Sequence, residues 1–194
     1  MKTVIFDIDR TLADSEHRYE RHTVNGKIDW DAAHNPAEVL KDPPLPFKSN
    51  PICMAQMYFP SVTFLTGRPS SLEEVTKVWL LRYFLPSLRY KDIKSVRSMY
   101  PQSKSDFYII SRKNGDYTHA DEAKREMMEK LELKGIKAIC AFDDCSEGDL
   151  EKRRHVYEDY GAKFYHINDH DFWLNFDWHV LDKDIFGIDV LPYG

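Results

Sequence analysis

Five short runs rich in β-branched and aromatic residues, at 3–8, 61–66, 107–111, 137–142 and 163–167, alternate with segments of helical periodicity. That alternation constrains the fold more than any other property of the chain. Parallel strands need crossover helices, and each helix needs a sheet face to cover its apolar stripe. Residues 70–85 open on Ser70 and Ser71, carry Glu73 and Glu74, then turn apolar at Val75, Val78, Trp79 and Phe84 before Pro86. Residues 120–133 place Ala123, Met127, Met128 and Leu131 at helical spacing, with Gly135 beyond. Residues 147–160 turn Leu150, Val156 and Tyr160 inward before Gly161, a good helix stop. The expectation is a doubly wound α/β fold, a parallel five-stranded sheet with helices on both faces.

Hydrophobic residues fill 42% of 194 positions, enough for the core of a single domain spanning 1–194. Two stretches depart from the alternation. Residues 14–60 carry Trp30, many charges and the turn-rich KDPPLPF of 41–47, and read as an insertion of loops and short helices. Residues 168–194 form an acidic tail whose aromatics, Phe172, Trp173, Phe176, Trp178, Phe186 and Tyr193, are expected to pack onto the core. Cys53, Cys140 and Cys145 show no C-x-x-C spacing and read as reduced thiols. With no signal-like start and no long apolar run, a soluble, cytoplasmic protein without a membrane partner is expected. A net charge of -5 argues against general attraction to nucleic acid while leaving room for a local basic patch.

The strand ends carry the chemistry. The first run stops at FDIDRTL, where Asp7 and Asp9, two residues apart, point to the same side. In open α/β sheets the carboxyl ends of the strands are where ligands bind. Two adjacent carboxylates repel unless a cation or a shared proton intervenes, and a hard, oxygen-seeking Mg²⁺ is the natural cation. On this spacing alone a turn cap is an equal reading. Downstream, FLTGRP brings the Thr66 hydroxyl and the Gly67 backbone donor to the same edge, AFDD brings Asp143 and Asp144, and Lys124 stands in the first turns of the preceding helix. Four acids, a hydroxyl and a lysine at neighbouring strand ends are hard to attribute to chance.

FDIDRTL, FLTGRP, Lys124 and AFDD resemble, in order, the four motifs of the haloacid dehalogenase superfamily, mostly Mg²⁺-dependent phosphatases with a Rossmann-like sheet. The resemblance spans about 3–167. It implies that Asp7 is a nucleophile forming an aspartyl-phosphate and that Asp9 is the general acid and base. It also implies that Thr66 and Lys124 bind the phosphoryl group, and that Mg²⁺ sits on Asp7, the Asp9 backbone carbonyl and Asp144 with Asp143 beside it. For such a role the Asp9 pKa should be raised by neighbouring carboxylates and burial, while Asp7 stays ionised. Arg10 departs from the family, which usually has glycine there, and it puts a fixed cation beside the site.

A narrower likeness runs through SRKNGDYTHADEAK. Arg112, Gly115, Asp116, Asp121 and Lys124 resemble the phosphatase half of phage-type polynucleotide kinase/phosphatases, as do Arg18 and the pair Gly67 and Arg68. It implies Arg18, Gly67, Arg68 and Asp121 as substrate-binding residues and a phosphorylated nucleic acid 3′ end as substrate, and Arg10, the departure from the family, is read beside them as a cation facing either solvent or a substrate phosphate. No G-x-x-x-x-G-K-[ST] occurs, so no kinase domain is expected in this chain. Residues 82–104 interleave Arg82, Arg89, Lys91, Lys94, Arg97 and Lys104 with Tyr83, Phe84, Tyr90 and Tyr100, a composition that suits a single strand and equally a helix-loop with its aromatics inward. Neither this segment nor 14–60 reads as a large cap domain, so an open site is expected. The alternatives are a nucleotidase or small-molecule phosphatase with 14–60 folded over the site, and an inactive binding module, against which the intact acids argue.

Overall fold

The computed structural model describes residues 1–85, 98–99 and 106–186. Strands are β1 (Lys2–Phe6), β2 (Thr23–Val24), β3 (Lys27–Ile28), β4 (Ser61–Pro69), β5 (Ser98–Met99), β6 (Asp106–Arg112), β7 (Lys137–Asp144) and β8 (Lys163–Ile167). Helices are α1 (Glu16–Arg21), α2 (Trp30–Ala33), α3 (Pro36–Val39), α4 (Pro51–Tyr58), α5 (Glu73–Tyr83), α6 (Ala120–Leu133), α7 (Leu150–Glu158), α8 (Phe172–Asn175) and α9 (Val180–Phe186).

The five runs expected as strands form a parallel sheet in the order β6-β4-β1-β7-β8. A sixth strand of two residues, β5, which the sequence did not suggest, pairs antiparallel with the outer edge of β6. Strand β1 lies in the middle because both its faces are apolar. Successive side chains alternate, so Val4 and Phe6 enter one core and Ile5 the other. On the first face, Ile52 and Ala55 of α4 and Trp79 and Leu80 of α5 cover the sheet. On the second, Met127 and Leu131 of α6 meet Val156 and Tyr157 of α7. Fully buried aliphatic and aromatic side chains of this kind each contribute about 1.5–3 kcal/mol by leaving water.

Two expected helices begin later than their patterns, after 3-10 turns at Ser70–Leu72 and Glu147–Asp149. Tail aromatics close the first core as expected where they are described. Phe142 stacks on Phe6 at 5.1 Å and meets Trp173 at 5.2 Å and Phe176 at 5.3 Å. Trp173 also donates from Nε1 to the Thr11 carbonyl at 2.6 Å, tying the tail to the loop that follows β1. Phe186 and Tyr193 fall outside the described side chains.

Residues 14–60 form short helices and a two-stranded hairpin, β2-β3, and no large cap occurs among the described residues. Most of 82–104, and with it the proposed strand-gripping composition, lies outside the described residues. Of its described members, Arg82 donates to the Leu40 carbonyl at 3.3 Å and Phe84 is buried in the core. No helix among the described residues is long and apolar enough to cross a membrane.

Candidate active site

Asp7 follows directly on β1, its backbone N–H donating to the Phe142 carbonyl at 2.9 Å so that the strand ladder carries it to the carboxyl edge of the sheet. Strand β7 delivers Asp143 and Asp144 to the same edge, and Lys124, a turn into α6, enters from above. Lys124 Nζ stands 3.0 Å from Asp7 Oδ1 and donates to both Asp143 oxygens at 2.6 Å. Arg153 of α7, which the sequence reading did not single out, continues the series. It donates from Nε to Asp121 Oδ1 at 2.6 Å and from Nη1 to Asp143 Oδ2 at 2.8 Å and to the Asp144 carbonyl at 2.9 Å. The Tyr157 hydroxyl donates to the same Asp143 oxygen. Charges thus alternate from Asp121 through Arg153, Asp143 and Lys124 to Asp7, an arrangement that satisfies each buried ion with the next.

Those contacts separate the neighbouring aspartates of β7. Asp143 is fully buried with both oxygens engaged, and although burial alone would raise it, Arg153 and Lys124 hold it below the usual carboxylate range. Asp144 is more open and lacks that company, so burial and the Asp143 charge push it up to about 6. Asp7 is raised well above the ordinary value by burial, against Lys124, with Asp143, Asp144 and Asp9 adding to the rise. Thr11 Oγ1 accepts from the Asp144 N–H at 3.0 Å, which fixes the loop after β1 against the end of β7.

Asp9 differs from the sequence expectation. Its carboxyl was expected to be raised, but it is held far below the usual range. Burial would raise it, yet Arg68 and Arg18 together outweigh that effect. Arg68 donates from Nε to both Asp9 oxygens at 3.1 Å and from Nη2 at 2.6 Å, and Arg18 donates from Nη2 to the same carboxylate. Both arginines are fully buried and also grip Asp42, Arg18 through Nε at 3.0 Å and Arg68 through Nη2 at 3.2 Å. Expected to touch substrate, they address Asp9 instead, because a buried guanidinium must spend its donors on nearby carboxylates. Asp42, within the turn-rich KDPPLPF, is itself fully buried.

Asp121, also expected to touch substrate, is buried behind the site as the acceptor of Arg153. Thr66 is fully buried, its Oγ1 accepting from the Arg68 N–H at 3.2 Å. Gly67 lines the open cavity, with nothing within 4 Å of where a Cβ would project. Arg10 has φ +63, the left-handed region in which glycine is at ease, and its Nε lies 3.1 Å from Glu16 and 3.8 Å from Asp144. It therefore faces the acidic rim rather than solvent alone.

A cavity of about 550 Å³ opens over Asp7, Lys124 and Asp144. One wall is the end of β6 and the segment that follows it, including Arg112 and Tyr117. The other belongs to the 14–60 insertion, with Tyr19, Trp30, Asp31 and His34. Tyr117 donates to Asp31 Oδ1 at 3.0 Å, joining the two walls. Sequence reading missed this aromatic wall and Asp42 because residues 14–60 lack a periodic pattern. Arg153 left a faint trace: Leu150, Arg153 and Tyr157 recur at the spacing of one helix face, so a charge there called for a buried partner.

Oxygens of Asp7, Asp143 and Asp144 lie within 4.8 Å of one another. This donor set fits a hard divalent cation such as Mg²⁺: the oxygens are carboxylates, and the raised Asp7 and Asp144 mark negative charge that a cation would relieve. Asp143 has spent its oxygens on Lys124, Arg153 and Tyr157, which leaves Asp7 and Asp144 as the available side-chain donors.

No protein-family model matches the chain, and no curated protein matches it in sequence. Solved structures match it in fold. The chain is similar to one in the structure of the Pnkp1/Rnl/Hen1 complex, with a TM-score of 0.51 and 18% identity. The match covers 90% of this chain and 46% of that one. The likeness is therefore one of fold, an α/β architecture shared over nearly the whole of this chain and under half of the other.

Proposed function

We propose that the protein is a Mg²⁺-dependent phosphomonoester hydrolase of the haloacid dehalogenase type, working through an aspartyl-phosphate on Asp7 and removing the 3′ phosphate from nucleic acid ends. The observation that carries this reading is the Lys124 ammonium held between Asp7 and Asp143 at the carboxyl ends of β1 and β7, inside an open cavity. A carboxylate nucleophile divides the hydrolysis into two easier steps. In the first, an Asp7 oxygen attacks phosphorus and the ester oxygen leaves; in the second, water displaces Asp7 and inorganic phosphate is released. Lys124 neutralises the equatorial oxygens as charge spreads over them. Mg²⁺, held by Asp7 and Asp144, would supply electrostatic stabilisation of the phosphoryl group. Asp9, kept anionic by Arg68 and Arg18, is set to take the proton of the incoming water. For it to protonate the leaving oxygen first, Asp9 must be drawn off those two arginines by substrate and take up a proton from solvent, which it then passes to the departing ester oxygen.

The substrate reading also rests on the neighbour named above, a chain of the Pnkp1/Rnl/Hen1 complex. A second reading, a free nucleotide or other small phosphate ester, is favoured by the wall that residues 14–60 raise over the cavity and by the Tyr117–Asp31 hydrogen bond. Hydrolysis of p-nitrophenyl phosphate with Mg²⁺ tests the chemistry: wild type should turn over and Asp7→Asn should not, and a silent wild type or an active variant overturns the mechanism. Comparing kcat/KM for a 3′-phosphorylated oligonucleotide with that for mononucleotides tests the substrate, and preference for the mononucleotide defeats the first reading.

A further inference from the structure

The cavity holds something that hydrolysis of a phosphate does not require. Among the large apolar side chains left exposed in the described residues, the two aromatics are Trp30, 43% exposed, and Tyr117, 66% exposed, and both line this cavity. Their placement is built rather than incidental. Trp30 and His34 sit four residues apart on α2 and its C-cap, so their rings stack, centroids 5.5 Å apart and 27° between planes. Tyr19 meets the indole edge-on at 5.6 Å. Arg18 then ties this aromatic group to the reactive end of the sheet. It donates from Nη1 to the Ala33 carbonyl at 3.0 Å, lies over the Tyr19 ring at 4.6 Å, and holds the Asp9 carboxylate with Nη2. The platform is therefore fixed relative to the acids. Arg112, on the opposite wall, has a buried Nε without a hydrogen-bond acceptor among the described residues, with Asp116 standing off at 4.0 Å.

We infer that Trp30, backed by His34 and Tyr19, is a stacking platform for a nucleobase carried by the phosphate ester, with Tyr117 hydrogen-bonded to Asp31 closing the opposite side. The inference rests on the proposed reaction for the identity of the ester and adds the group that distinguishes one ester from another. An exposed indole supported from behind offers an apolar face to a flat ring, and every base has such a face, so the platform reads the presence of a base rather than its kind. Burial keeps His34 neutral, its pKa lowered to about 4, so the stack bears no added charge toward the phosphate at neutral pH. One stacked base beside one reacting phosphate is the terminal unit of a nucleic acid or a free nucleotide.

Trp30 is the exposed member of four tryptophans, since Trp79, Trp173 and Trp178 are buried. Intrinsic fluorescence therefore reports the platform. The full chain, freed of metal with chelator, is titrated with a nucleoside 3′-monophosphate, a 3′-phosphorylated oligonucleotide, ribose phosphate and inorganic phosphate. Saturable quenching by the two base-carrying probes, and none by the other two, is expected. No quenching by either base-carrying probe, or equal quenching in Trp30→Phe, overturns the inference. Trp30→Ala should weaken nucleotide binding in equilibrium dialysis about tenfold or more, given the usual strength of base–aromatic stacking. An unchanged affinity also overturns it, and the wild-type and Trp30→Phe titrations decide the matter if the alanine variant does not fold. A tighter midpoint for the oligonucleotide assigns the ligand to nucleic acid ends, and equal midpoints assign it to free nucleotides. None of these measurements reads turnover. Failure of the proposed reaction would leave the quenching intact, and absent quenching would leave p-nitrophenyl phosphate hydrolysis intact.

Discussion

Arg68 donates from Nε to both oxygens of Asp9, each at 3.1 Å, in a site where Arg68 has no exposed surface. This grip sets the protonation state of the second aspartate of the motif. It also joins the core sheet to the insertion, because the same guanidinium reaches Asp42.

Removing that guanidinium should be costly. A lowered carboxylate stabilises the fold at all pH values above its unfolded pKa and gives this up as pH falls through its folded value, which for Asp9 lies far below the usual range. Wild type should therefore keep this contribution in mild acid. Arg68→Ala leaves buried carboxylates short of a partner, and urea unfolding at neutral pH should show a loss of about 3–5 kcal/mol. A loss within about 0.5 kcal/mol, the range of an ordinary surface change, would contradict the network as described.

Asp7→Asn should have the opposite effect on the metal-free protein. A carboxyl whose folded pKa is raised favours folding at low pH, and that contribution is lost as pH rises toward the folded value. Replacing it with a neutral amide removes the strain that a reactive site imposes, and a gain of about 0.5–2 kcal/mol is expected at neutral pH with chelator present. Thermal unfolding across pH, compared with wild type, checks both the gain and the flatter slope.

The adjacent carboxylates Asp143 and Asp144 should behave differently. Asp143→Asn weakens the shared acceptor of Lys124, Arg153 and Tyr157, and a cost of about 3–5 kcal/mol is expected. Asp144→Asn should leave folding unharmed, and relative to it the wild type should lose stability between about pH 3.8 and about 6. Calorimetric titration with Mg²⁺ should show weakened binding for Asp144→Asn. Equal stability loss in both variants would remove the distinction.

Arg10→Gly should stabilise the protein. Left-handed backbone costs a non-glycine residue about 1–2 kcal/mol, while an exposed ion pair such as that with Glu16 is worth about 0–1 kcal/mol. Loss of a cation 3.8 Å from Asp144 should also tighten Mg²⁺ binding. Arg10→Ala, which keeps the backbone strain, should be less stable than Arg10→Gly, and denaturant midpoints for the pair test the conformational part alone.

The opening strand shows how far the sequence reached. A run rich in apolar β-formers at 3–8 pointed to β1, which forms at Lys2–Phe6, and the ladder carried Asp7 to the edge where FDIDRTL suggested it would be. Lys124 and Asp143 met there because each lies at a fixed offset from an element with strong periodicity, α6 and β7. Arg18, Arg68, Asp42 and Asp121 were less legible. The motif positions of Arg18, Arg68 and Asp121 were visible and that of Asp42 was not, and whether a guanidinium faces a ligand or a neighbouring carboxylate depends on what folds over it, while residues 14–60 carry no repeat from which that covering could be read.

The sequence by itself determined the central parallel strands, the helices that cross between them, and the edge at which the acids gather, since these follow from local periodicity and the direction of the chain. Tertiary structure alone decided which acids are ionised, that Asp9 belongs to two buried arginines, and that Trp30 stands over the site. Charge state and exposure arise from neighbours distant in the chain, and burial in a low-dielectric interior makes those neighbours outweigh the intrinsic chemistry of each residue.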